Sequence, residues 1–126
     1  MKANELMLFD LVKRKKDGKI MTVVELRYAE TIAAITPDDV YYGDMEDYHE
    51  SEIEPIPLTP EILEKNGFHY NDLPFVQSWE QFGLSLYLGG DGYRINCGQN
   101  VAMVIDSVHQ LQHALRLCGI EKEIVI

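Results

Sequence analysis

The sequence predicts an α+β chain: an N-terminal SH3-like small β-barrel or bent sheet, a short central helix, an antiparallel β-meander and a C-terminal helix. Three observations carry this. An Asp17-Gly18 pair stands between two β-prone runs, the standard chemistry of a tight hairpin. Thr59-Pro60 and Asn66-Gly67 bracket five residues with the start and stop signals of a helix. From Val108 to Cys118 the apolar side chains recur at helical spacing.

The β-rich block spans residues 1–36. Leu8 to Val12 leads into the Asp17-Gly18 turn, and Ile20 to Tyr28 returns as a long β-branched run. Thr31 to Ile35 follows a turn near Ala29-Glu30 as a third strand. Lys13 to Lys16 is basic, and beside a hairpin turn such a run reads as a solvated strand end.

Residues 37–57 form an acidic segment opened by Thr36-Pro37. From residue 30 to 54 there are nine acids and no Lys or Arg. Such a stretch reads as a solvated loop with an edge strand at Val40 to Tyr42. Its tyrosines also make it the candidate contact surface, Tyr41, Tyr42 and Tyr48 anchoring while Asp44, Glu46, Asp47 and Glu50 select a basic partner. A calcium loop starting at Asp44 fails, since His49 occupies the glycine place and Pro55 that of the closing glutamate.

The α+β block covers residues 58–126. Thr59 caps a helix with Pro60 in its first turn, and Asn66-Gly67 ends it. Gln77 to Gly83, Leu84 to Leu88, Tyr93 to Cys97 and Val101 to Ile105 read as strands of a meander. The glycines at 89, 90 and 92 make a turn rather than a phosphate cradle, because a strand and not a helix follows. Asp106-Ser107 caps the last helix, whose buried face is Val108, Leu111, Ala114, Leu115 and Cys118. His109 and His113 fall on its polar side, four residues apart, without a third metal ligand at local spacing. Glu121 to Ile126 is expected as an edge strand, and Cys97 and Cys118 as buried thiols.

At 126 residues one domain is expected. No apolar run reaches the roughly 18 residues of a membrane span, and Met1 to Leu6 lacks a signal core, so a cytoplasmic protein is expected. A net charge of −10 disfavours direct nucleic-acid binding. No nucleophile elbow, metal-ligand spacing or phosphate loop is present, which predicts a non-enzyme without cofactor or metal.

The segments Ile56-Pro57-Leu58-Thr59, ending at Gly67-Phe68, and Val108-His109-Gln110-Leu111-Gln112, ending at Gly119, resemble an uncharacterised family of small proteins. Bacteroidetes bacteria carry that family on prophages and other mobile elements. The opening Asn4-Glu5-Leu6 also matches, but Met7 to Asp10 stands where the family pattern has a Gly-Asn turn. The resemblance implies a hinge between a β module and an α+β module. It also implies an accessory protein of a phage or mobile element, binding a protein partner such as host-defence or regulatory machinery. Homo-oligomers fit the same picture. Two alternatives stand beside it. One is a small-ligand (nucleotide-like) sequestering protein using Arg94, Arg116 or the basic hairpin, with Trp79 stacking. The other is a nucleic-acid mimic built on the acids of residues 38–54.

Overall fold

The computed structural model describes residues 1–36, 45–73, 76–81, 83–97 and 102–126. Tyr41, Tyr42, Asp44, the strand expected at 40–42 and the burial of the Cys97 side chain lie outside the described residues. Over the described residues the chain is mainly β, with two five-stranded antiparallel sheets and two short α-helices. Its contacts divide it into two compact units, Met1–Ile56 and Pro57–Ile126. No helix among the described residues is long and apolar enough to cross a membrane.

The first unit contains β1 (Leu11–Arg14), β2 (Ile20–Leu26), β3 (Thr31–Ile35), β4 (Glu46–His49) and β5 (Ile53–Glu54). Their order is β4-β3-β2-β1-β5, so the last strand returns beside the first. A register shift between Val23 and Glu25 marks an irregularity in β2 of the kind that bends a strand. Val12, Met21, Val23, Ile32, Ala34, Tyr48 and Ile53 form the core with Leu6. Within the described residues β4 and β5 are open edges, and the sheet does not close on itself.

Two turns explain the strand ends. Gly18 has φ +72°, and its N–H donates to the Arg14 carbonyl, which closes the β1–β2 hairpin. Ala29 and Glu30 are both left-handed, at φ +56° and +60°, within the three-residue loop that lies between Arg27 and Thr31, whose carbonyl accepts the Arg27 N–H. The first strand starts at Leu11 and not at Leu8, because the chain turns over Met7–Asp10. The buried Asp10 carboxylate accepts the Met7 N–H at 2.8 Å, and Phe9 takes φ +69° while donating its N–H to Val23. For a side-chain-bearing residue that conformation costs roughly 1–2 kcal/mol.

The acidic segment is not a free loop where it is described. Glu46–His49 is strand β4, paired to β3, and a 3-10 turn at Glu50–Glu52 follows. The Ser51 N–H donates to the His49 ring, and the Glu52 carboxylate accepts the His49 N–H, a reciprocal cap.

The second unit holds α1 (Pro60–Lys65), β6 (His69–Leu73), β7 (Val76–Gln81), β8 (Leu84–Gly89), β9 (Gly92–Cys97), β10 (Ala102–Ile105) and α2 (Val108–Leu117). Its strands form a simple meander, β10-β9-β8-β7-β6. Thr59 Oγ1 accepts the Ile62 N–H, and Gly67 at φ +89° lets Phe68 N–H reach the Leu63 carbonyl. Gly92 is required by close approach, since a Cβ there would lie 2.6 Å from the Ile105 carbonyl oxygen. Trp79, Leu86 and Ile95 stand in one cross-strand row and are buried.

Three expectations for this unit are corrected. His109 is 3% exposed, within the covered side of α2, with its Nδ1 3.1 Å from Ser107 Oγ. The cause is local: Pro57 bridges to Ser107, and Leu58 donates to the Asp106 carbonyl, so the first turn of α2 is covered on an extra side. Residues 121–126 are not a strand. The Asn66 amide stands in for a neighbouring strand by accepting the Val125 N–H and donating to its carbonyl. Cys118 is only half-buried, at the C-cap of α2.

Candidate functional site

The described residues of the predicted surface fall on β4 and the turn after it, all in the first unit. Strand alternation sends Tyr48 inward and Asp47 and His49 outward, while Glu46, on the same face as Tyr48, is exposed at the start of the strand. Tyr48 is 6% exposed and belongs to the core, which corrects its assignment as a projecting anchor. Only its hydroxyl takes part in surface chemistry. It accepts from Arg14 Nη1 at 2.9 Å and donates to Glu46 Oε2 at 3.0 Å. Burial pushes the phenol up from its usual pKa, the Arg14 hydrogen bond opposing and Glu46 reinforcing.

Arg14 is the residue that sequence reasoning undervalued. Its guanidinium forks onto Asp17, with Nε–Oδ1 at 2.9 Å and Nη2–Oδ2 at 2.6 Å, while Nη1 reaches Tyr48. It therefore fastens the β1–β2 turn to β4 and is not a solvated strand end. Its bidentate bond holds the Asp17 carboxyl well below the usual range. The i,i+3 spacing of Arg14 and Asp17 across a turn was the available signal. The link to Tyr48 spans 34 residues and leaves no local trace. Around this network lies a groove of about 440 Å³, lined by Arg14, Lys15, Lys16, Glu46, Asp47 and Glu52 among others.

Glu50 is placed elsewhere. Its carboxylate accepts the Ala3 N–H at 2.8 Å and pairs with Lys2 at 3.7 Å, the first of these contacts chiefly depressing its pKa. It ties the N-terminus to the sheet, beside a second groove of about 400 Å³. The other described acids of the segment also have partners within the molecule. Asp47 pairs with Arg27 at 2.9 Å, Glu54 with Lys13 at 3.4 Å, and Glu30 with His49 at 3.5 Å. Exposed pairs of this kind contribute roughly 0–1 kcal/mol each, so an incoming cation can replace Arg27 at little cost.

The free edge of β4 is blunted against strand addition. Glu50 N–H donates to Glu30, which sets the ladder phase so that Asp47 and His49 turn their backbone groups outward. Glu52 already occupies the His49 N–H, and the strand is four residues long. What this edge offers a partner is its carboxylates.

Of the groups named for small-ligand binding, the Trp79 ring is not open to a ligand. Trp79 is buried between Tyr70 and Tyr93, with ring centroids at 5.2 and 5.6 Å. Arg94 is on β9, Arg116 is on α2, and Arg14 is engaged in the other unit. Trp79 Nε1 and Ser78 Oγ are buried without a hydrogen-bond partner among the described residues. Among those residues no group of three or more His, Cys, Asp or Glu side chains could hold a metal ion.

Comparison with known proteins yields no match: no family model fits the chain, and no curated protein or solved structure is significantly similar.

Proposed function

We propose that the chain acts without catalysis, by protein–protein contact through the acidic outer strand of its first unit, on a partner with a basic surface. The observation that carries this is β4 itself: Glu46 and Asp47 are exposed on an edge strand whose one buried side chain, Tyr48, fastens it to the core. A pre-ordered pair of carboxylates loses little conformational freedom on binding. The SH3-like reading of the first unit is part of the same proposal. It is supported by the strand order and by the 3-10 turn that precedes β5. The setting, an accessory protein of a phage or mobile element, rests on the sequence resemblance.

The test uses the full chain as bait in a Bacteroidetes lysate, beside a Glu46→Gln, Asp47→Asn variant. Glu50 is left intact because it holds the N-terminus. The variant is expected to lose about tenfold in capture of a basic protein, with an unchanged melting temperature. Capture should also weaken with added salt. Equal capture by the folded variant overturns the proposal.

A further inference from the structure

The basic run Lys13 to Lys16 is only partly consumed by contacts within the first unit. Lys13 pairs with Glu54, and Arg14 forks onto Asp17. Lys15 and Lys16 do neither. Both are exposed, and among the described residues neither side chain makes a hydrogen bond or an ion pair. Lys16 exerts only a through-space pull on the Asp17 carboxyl.

Both lysines line the groove of about 440 Å³ that Glu46 and Glu52 also line. The Lys15 N–H donates to the Glu52 carbonyl at 3.0 Å, which sets the lysines beside the 3-10 turn. Arg14 reaches from β1 to the Tyr48 hydroxyl, and that hydroxyl reaches Glu46 on β4. The basic side of the groove therefore comes from the end of β1, and the acidic side from β4 and the turn after it. Each of the two carboxylates has one oxygen committed, Glu46 Oε2 to Tyr48 and Glu52 Oε1 to the His49 N–H. Neither lysine pairs with either of them, although all four line one recess.

Arg14 is answered by Asp17, and Asp47 by Arg27. The charges left to a ligand in this groove are thus two ammoniums and two carboxylates. We infer that it takes a segment of a partner protein in which an acidic and a basic side chain lie close together. The acid meets Lys15 and Lys16, and the base meets Glu46 and Glu52. The inference rests on the contact reading and narrows its partner from a basic surface to one of mixed charge. A purely basic segment reaching Glu46 sets its other cations against the lysines. A purely acidic segment, or a phosphate, meets the two carboxylates. Like charges placed against each other reject the wrong partner more than matched charges reward the right one.

A displayed library of random peptides, panned on the full chain, tests it, with the enriched peptides then synthesised and measured by fluorescence polarisation. Enriched sequences should carry an acidic and a basic residue within a few positions of each other. Lys15→Gln, Lys16→Gln should keep the melting temperature, since both side chains are exposed, and should bind such a peptide about tenfold more weakly. Changing the peptide's acid to its amide should cost the wild type the same factor and the lysine variant nothing more, as a direct pair requires. Peptides that carry only basic residues, or whose affinity ignores the lysine variant, overturn the inference. If those peptides still weaken with Glu46→Gln, Asp47→Asn, the contact reading stands without it. Indifference to both variants overturns both readings. A library that yields no binder also overturns the inference, as does free arginine binding as tightly as the peptides.

Discussion

At the scale of single residues, Tyr48 shows how one side chain can be both core and surface. Its ring packs among Val12, Ile32 and Ile53, and its hydroxyl joins Arg14 to Glu46. Tyr48→Phe keeps the ring and removes both hydrogen bonds. The expected loss is about 1–2 kcal/mol by thermal or urea unfolding, the size of one or two hydrogen bonds that include charged partners. Partner capture through Glu46 should fall as well, because the carboxylate loses the donor that positions it. A variant as stable as the wild type would mean that water replaces the phenol completely. None of this could be read from residues 46–49, where a lone aromatic among acids suits a projecting anchor equally well. Ile32, paired across the ladder, decides the matter, and it is 16 positions away. The acids behave the same way: Asp47 is tempered by Arg27 and Glu54 by Lys13, cations brought in by the sheet and not by neighbouring sequence.

At the scale of elements, legibility followed the range of the deciding interactions. α1 was readable because its cap, its first-turn proline and its glycine stop all lie within nine residues. The β1–β2 hairpin and the β7–β10 meander were readable for the same reason, each having turn chemistry between alternating runs. β6 was not foreseen. Its segment His69–Leu73 is mostly polar, and only pairing with β7 makes it a strand. The tail misled in the opposite direction: Ile124 and Val125 look β-prone, but an amide side chain supplies the partner. Asn66 is buried, and it bonds Ile62 as well as both backbone groups of Val125. Asn66→Ala should therefore cost about 2–3 kcal/mol, several hydrogen bonds being lost at a buried site. It should also release residues 121–126, seen as faster amide exchange and as trimming by carboxypeptidase. Protection unchanged at Val125 in that variant would show that Ile124 packing, and not the amide, holds the tail.

At the scale of the whole molecule, the two units carry different ionisable groups, and pH should separate them. Asp17 and Glu50, both in the first unit, have carboxyls held below their usual range, by Arg14 and by the Ala3 N–H respectively. A carboxyl depressed on folding adds stability above its unfolded pKa, and that stability is lost as pH falls through the folded value. Acid should thus loosen the first unit from about pH 4 downward, the ordinary carboxylate range. Tyr48 and Tyr93, one in each unit, have phenols raised by burial. Their contribution is present below the unfolded tyrosine value of about 10 and is lost as pH rises through the folded one, so alkali should act on both units. The chain has a single tryptophan, Trp79, and it is buried in the second unit between two tyrosines. Its fluorescence is therefore a probe of that unit alone, whereas far-ultraviolet circular dichroism sees both sheets. On acid titration the dichroism should change first and the Trp79 emission later, while on alkaline titration the two should move together. Coincident acid transitions would mean that the chain melts as one cooperative body in acid, with its stability shared across the boundary at Ile56 and Pro57.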